Sequence, residues 1–178
     1  MSIISLNMKT LSGFSFSIAP FASLQPERVP TPEMAIVFAL NKDPRQWILA
    51  STEANQTVIT QEWVPQGDSI DAWKEVFGQK IFFTKVSVRE HLDEKGCLLG
   101  PVDPKAETTE EKNLDGSITV TSTSIAGDEV GISRYSKASD GIYILSYRVR
   151  PELKTEATFK IWRGIISSAS LVPNPLKR

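Results

Sequence analysis

The segment from Trp47 to Phe83 constrains the fold most, because strand, turn and helix patterns follow one another within it. The runs 47–51 and 57–64 are rich in apolar, β-branched and aromatic residues, and a polar turn separates them. We therefore expect an antiparallel hairpin. In its second strand Ile59 and Trp63 share one face, which should be the more deeply buried one.

The hydrophobic spacing changes after Gly67. Apolar residues then recur at steps of three and four, which predicts a short helix over 69–77, capped by Asp68 or Ser69 and ended by Gly78. A strand over 80–88 is expected to follow. The apolar positions of the predicted helix are Ile70, Trp73, Val76 and Phe77.

The C-terminal half predicts three more strands and a second helix. The strands cover 117–125, 129–137 and 142–149, and short Gly-Asp and Asp-Gly turns join them into a meander. From Thr155 the apolar residues adopt a helical period, which predicts a helix over 155–169. Short connections favour antiparallel neighbours. The expected class is therefore α+β, a mostly antiparallel sheet packed by two main helices.

The expected organisation is a single domain with an arm before it. The arm, 1–33, holds a first strand and a proline-rich connection, and 34–173 form the α+β domain. Within the domain the apolar run 34–40 suits a buried strand, 95–113 form a long surface loop, and 174–178 form a tail.

The segment 11–22 has two interpretations. Phe14, Phe16 and Ile18 alternate with serines, which favours a strand, whereas the apolar character would also fit an atypical signal segment. The first interpretation favours the cytoplasm, and the second a periplasmic or secreted protein.

Composition argues against several classes of function. The net charge is −1 and no basic stripe is visible, which speaks against nucleic-acid binding. The single cysteine, Cys97, cannot form an intrachain disulfide or a multi-cysteine metal site. No apolar run reaches the roughly 20 residues that a membrane span needs. We expect no metal, no cofactor and no transmembrane segment.

Catalytic constellations are equally sparse. His91 is the only histidine, and its charged neighbours suggest a surface position. A hydrolase that uses His91 is therefore a third hypothesis, behind two forms of binding protein, and no catalytic residue is assigned.

The four tryptophans offer either a pocket or a core. Trp47, Trp63, Trp73 and Trp162 could line an apolar pocket for a small ligand, or they could fix the helices onto the sheet. The core interpretation is preferred because Trp73 and Trp162 lie in the middle of predicted apolar stripes.

Two blocks of sequence resemble a known group of domains. The first, 61–73, joins a Glu-Trp-Val-Pro strand end to a Gly-Asp turn and a tryptophan, and the second, 140–149, opens with Asp-Gly-Ile-Tyr and ends with Tyr-Arg-Val. Together they resemble uncharacterised bacterial domains of the Mog1/PsbP-like α-β-α sandwich kind. That resemblance implies a protein that acts by binding other proteins, and it transfers no catalytic residue.

The leading hypothesis is a non-enzymatic protein-binding or adaptor module of a bacterial cell, with a protein partner. The alternative is a small apolar-ligand binding protein with a tryptophan-lined pocket. The candidate binding residues are polar or aromatic residues near or on predicted strands: Arg45, Glu62, Arg134, Tyr135 and Tyr147.

Overall fold

A computed structural model describes residues 15–16, 29–95, 108–124 and 127–176. The strands and helices in this part of the chain alternate much as the sequence predicts. The strands are β1 (Ser15–Phe16), β2 (Met34–Phe38), β3 (Trp47–Ala54), β4 (Val58–Pro65), β5 (Glu75–Phe82), β6 (Thr108–Lys112), β7 (Ile118–Thr123), β8 (Val130–Lys137), β9 (Ile142–Val149) and β10 (Ser170–Pro173), and the α-helices are α1 (Val88–Lys95) and α2 (Glu156–Ser167).

The strands form two antiparallel sheets. The large sheet has the order β3-β4-β5-β9-β8-β7-β6, and the small one has the order β1-β2-β10. All of the pairings are antiparallel, including the central pair β5–β9, which joins the N-terminal hairpin to the C-terminal meander. The α+β class and the mostly antiparallel sheet are confirmed, as are the hairpin, the meander and the strand that begins at Met34.

The two sides of the large sheet are buried in different ways. Face A, which carries Ile59, Phe77 and Tyr147, is covered by α2 and by β2 in one continuous hydrophobic core. Face B is the opposite side, and α1 covers part of it. Alternation along each strand assigns every residue to one face or the other.

Helix α2 confirms the second predicted helix. The Thr155 side chain caps it by accepting a hydrogen bond from the backbone N–H of Thr158 at 3.1 Å. Its apolar stripe centres on Trp162, which is fully buried and stacks on Tyr147 with ring centroids 4.5 Å apart. The stripe packs on face A because a helix with one broad apolar side needs a matching apolar surface.

Helix α1 packs on the other side of the sheet. Val88 and Leu92 project from it onto face B, where they complete a second core. The sheet residues of this core are Ile118, Val120, Tyr135, Ile142 and Ile144.

The predicted helix over 69–77 is wrong. Only a single 3-10 turn, Ile70–Ala72, forms there, and the chain enters β5 at Glu75. Val76 and Phe77 lie on opposite faces of that strand, and both are buried. A strand buried on both faces has apolar residues at neighbouring positions and lacks the usual alternation. Such a run can match the three- and four-residue spacing of a helix. Gly78 therefore sits within a strand and ends no helix.

Other segments also differ from expectation. Thr108–Lys112, inside the predicted loop 95–113, forms the exposed edge strand β6, whereas 96–107 lie outside the described residues. Most of the predicted arm 1–33 lies outside them too, although β1 pairs with β2. In the predicted tail, Asn174 is buried and donates a hydrogen bond to the Pro32 carbonyl at 2.9 Å. Neither described helix is long and apolar enough to cross a membrane.

Candidate functional site

Arg45 lies in a cluster of charged residues at one end of face A. Its guanidinium donates to both carboxylate oxygens of Asp43, at 2.9 and 2.6 Å, and to Glu75 at 2.6 Å. It also lies over the Trp47 ring, 5.0 Å from the centroid. Each of the three guanidinium nitrogens thus donates to a carboxylate of the same chain.

Tyr147 belongs to the same cluster. Its hydroxyl donates to Glu75, and the indole N–H of Trp162 donates to Asp43 at 2.9 Å. Burial and the hydrogen bond to Glu75 raise the pKa of Tyr147. We call Asp43, Arg45, Glu75, Tyr147 and Trp162 the closed cluster, because each charge in it is paired inside the molecule.

Burial and hydrogen bonding shift the pKa of Asp43 in opposite directions. Burial by itself would raise this pKa, but the hydrogen bonds from Arg45, its positive charge and the Trp162 indole together outweigh burial. The pKa of Asp43 therefore lies below its ordinary value, and the carboxylate is held ionised.

Arg134 and Tyr135 are neighbours in sequence but lie on opposite faces of β8. Arg134 is buried on face A, where it donates to the Ser167 carbonyl and to Asp115, both at 2.6 Å. Tyr135 is buried on face B beneath α1. Both side chains hold elements of this chain together in the positions that the structure gives them.

Glu62 is the only one of the five predicted residues that lines a depression on the open part of face B. Thr60, Glu62, Gly78, Lys80, Ser146 and Arg148 form its walls and floor, and its volume is about 80 Å³. We call these six residues the polar depression. The strands β4, β5 and β9 place them side by side, because Glu62 pairs with Gly78 and Gly78 with Ser146 in the ladder.

The floor of the polar depression depends on small residues. A Cβ atom at Gly78 would lie 3.3 Å from the Gln61 carbonyl oxygen and 3.4 Å from Ser146 Oγ, tighter than most such contacts. Ser146 Oγ in turn donates to the Gly78 carbonyl at 3.4 Å. Larger side chains at these two positions would fill the depression.

The charges around the polar depression are unequally paired. Arg148 forms an ion pair with Glu62 at 2.6 Å and a longer one with Glu129 at 3.8 Å. It also lies over Trp73, 5.2 Å from the ring centroid. Lys80, in contrast, has no carboxylate within ion-pair distance among the described residues, and its closest aromatic contact is with Phe82 at 5.8 Å.

Burial perturbs two ionisable groups of this region. Desolvation lowers the pKa of Lys80, although the negative charge of Glu62 opposes that effect. Desolvation raises the pKa of Glu129, and Arg148 opposes it there. In both cases the surroundings shift the pKa in the direction that favours the neutral form.

The five predicted binding residues thus fall into separate places. Arg45 and Tyr147 meet in the closed cluster, Arg134 and Tyr135 hold the layers together, and only Glu62 lines the polar depression. Lys80, Gly78, Ser146 and Arg148 were not among the candidate binding residues. Their signal is a small residue followed two positions later by a basic one, Gly78 before Lys80 in β5 and Ser146 before Arg148 in β9, which puts each pair on one face of its strand.

The tryptophans divide between the core and the surface. Trp47, Trp63 and Trp162 pack around Phe77 in the core of face A, with ring centroids 4.7 to 5.4 Å from the Phe77 ring. Trp73 was expected in the core, but it is only half-buried, because the segment that carries it is a surface turn rather than a helix. The apolar-ligand hypothesis stays a prediction.

His91 was expected at the surface, but it is buried. It lies on the inner side of α1, with its ring centroid 4.6 Å from that of Phe82 and 6.5 Å from that of Tyr135. His91 follows Val88 by three residues and Leu92 follows it by four, so all three lie on one face of the helix. His91 therefore points inward despite its charged sequence neighbours. Among the described residues, no group of three or more His, Cys, Asp or Glu side chains could hold a metal ion.

No model of a known protein family matches the chain, and no curated protein sequence matches it either.

Proposed function

We propose that this chain is a non-enzymatic protein-binding module, and that it presents the polar depression on face B to its partner. The observation that carries the proposal is the contrast in pairing on the two faces. In the closed cluster on face A the charged groups are paired inside the chain, whereas the polar depression leaves the Lys80 ammonium without an ion-pair partner among the described residues.

The size and lining of the polar depression support a macromolecular partner. A volume of about 80 Å³ is well below the roughly 300–1,000 Å³ of pockets that enclose a small ligand. A shallow polar surface of this kind suits one side chain of a partner, with further contacts around it. The resemblance to Mog1/PsbP-like domains, whose members act mainly by binding, points to the same class of function.

Co-purification with a matched pair of variants tests the proposal. The intact chain, used as bait in extracts of its native host, should recover a protein in a stoichiometric amount. Thr60→Trp places an indole in the polar depression and should reduce that recovery at least tenfold. Thr108→Trp is the control, because it puts the same residue on an exposed position of face B, five strand spacings or roughly 24 Å away.

Two results would count against this function. One is repeated failure to recover any stoichiometric partner with a folded bait. The other is equal loss of partner from the two tryptophan variants, which would point to a general effect of the indole. Circular dichroism of both variants confirms that the baits are folded.

A further inference from the structure

Within the polar depression, Lys80 is the charged residue that has no ion-pair partner among the described residues. Its ammonium carries three donors, and the described residues place no carboxylate within 4.0 Å of it. The nearest negative charge on the wall, Glu62, is engaged by Arg148 at 2.6 Å. Glu53, on β3 two strands away, is exposed and attracts Lys80 only at longer range.

The position of Lys80 makes this unpaired state costly. The residue is half-buried, and desolvation lowers its pKa. A half-buried charge without a partner loses hydration and gains little in return. A carboxylate that entered the depression would supply the missing partner and would also accept charge-assisted hydrogen bonds.

We propose that the polar depression receives an aspartate or glutamate side chain of the partner protein, and that Lys80 forms an ion pair with it. This inference rests on the proposed function, since it requires a protein partner. A carboxylate is favoured over a phosphorylated side chain, which carries up to two negative charges, because the Glu62 carboxylate stands in the wall and would repel the larger charge.

Short peptides test the inference without knowledge of the partner. The probes are a peptide of four glutamates with blocked ends and its four-glutamine counterpart, each titrated at low salt into the ¹⁵N-labelled full chain. We expect saturable NMR shifts centred on the amides of Gly78, Lys80 and Ser146 with the glutamate peptide. The affinity for the glutamine peptide should be at least tenfold lower.

A matched pair of lysine variants locates the effect. Lys80→Gln should lower the affinity for the glutamate peptide about tenfold, whereas Lys112→Gln should leave it within about twofold. Lys112 is an exposed lysine on the same sheet, four strand spacings or roughly 19 Å from β5. Both variants lose one positive charge, so a non-specific electrostatic effect would weaken binding equally in the two.

The inference is overturned if both peptides bind equally, or if Lys80→Gln binds the glutamate peptide as well as the wild type does. It is also overturned if a partner recovered by co-purification binds Lys80→Gln with unchanged affinity, and in that case the proposed function survives. Failure to recover any partner refutes the proposed function itself, whatever the peptides show.

Discussion

The closed cluster and the polar depression are two charged sites on opposite faces of the same central strands. Each contains an arginine–glutamate ion pair with an N–O distance of 2.6 Å. In the closed cluster the guanidinium of Arg45 is shared by two carboxylates, and one of them also accepts from the core residue Trp162. In the polar depression a second cation, Lys80, has no such partner among the described residues.

The environment of an ion pair decides its role. Asp43 has only 3% of its side chain exposed. Loss of Arg45 would leave a buried charge, and loss of Asp43 would leave the Arg45 and Trp162 donors without their acceptor. Glu62 and Arg148 expose 24% and 21% of their side chains, so water can replace either partner at modest cost. We therefore expect changes in the closed cluster to affect folding, and changes in the polar depression to affect binding.

The largest expected effect follows from Asp43→Ala. It would remove the acceptor for Arg45 and for the Trp162 indole, and we expect the free energy of unfolding to fall by about 3 kcal/mol. Urea denaturation measures the change. Glu53→Ala, an exposed acidic residue on β3, serves as the control and should change stability by less than about 0.5 kcal/mol. Equal effects of the two substitutions would contradict the closed cluster as described.

Acid should remove much of the stability that the ionised Asp43 side chain contributes. Because the folded-state pKa of Asp43 is lowered, its ionised form contributes stability that is complete above the unfolded value of about 3.9 and is lost as the pH falls through the folded value. The stability gap between the wild type and Asp43→Asn should therefore narrow steadily below about pH 4. Denaturation series at several pH values test this, and a gap that stays constant into strong acid would refute it.

A smaller effect of opposite sign is expected at Lys80. Since desolvation lowers its folded-state pKa, the ammonium costs stability at neutral pH, and that cost fades as the pH rises through the folded value toward about 10.4. Lys80→Met should thus stabilise the protein by up to about 1 kcal/mol at pH 7, and the gain should shrink in alkali. Lys112→Met is the comparison, with an expected change within about 0.5 kcal/mol. Thermal and urea denaturation measure the change. A Lys80→Met variant less stable than the wild type would contradict the claim that the Lys80 charge destabilises the fold.

The smallest expected effect is the coupling between Glu62 and Arg148. A double-mutant cycle with Glu62→Gln and Arg148→Gln should give an interaction energy below about 1 kcal/mol, because both side chains are partly hydrated. The same cycle for Asp43→Asn and Arg45→Gln should give a clearly larger value. A reversed order would mean that the polar depression, and not the closed cluster, holds the fold together.

Local patterns were sufficient for most of the fold. The alternation in β4 identified Ile59 and Trp63 as the buried pair, and both lie in the core. The apolar stripe of α2 was equally clear, because one face of that helix meets the sheet and the other meets water. Such patterns predict structure well wherever an element has one buried side and one exposed side.

The failures occurred where an element is buried on two sides or where burial depends on distant neighbours. In β5, Val76 and Phe77 are both buried, so period-two alternation disappears and a helical spacing arises by coincidence. His91 has charged neighbours in sequence, yet α1 turns its ring toward Phe82. Of the five candidate binding residues, only Glu62 lines the polar depression, since pairing between residues far apart in the chain is invisible in the sequence.

Hydrophobic period and turn chemistry are properties of neighbouring residues, so the α+β class, the hairpin, the meander and the last helix could be predicted from the sequence. Which charges are satisfied depends on contacts between residues that are far apart in the chain. Arg45 lies two residues from Asp43 but 30 from Glu75, and Glu62 lies 86 residues from its partner Arg148. Ladder register across β4, β5 and β9 brings the polar depression together, and no carboxylate of the described residues pairs with Lys80 there.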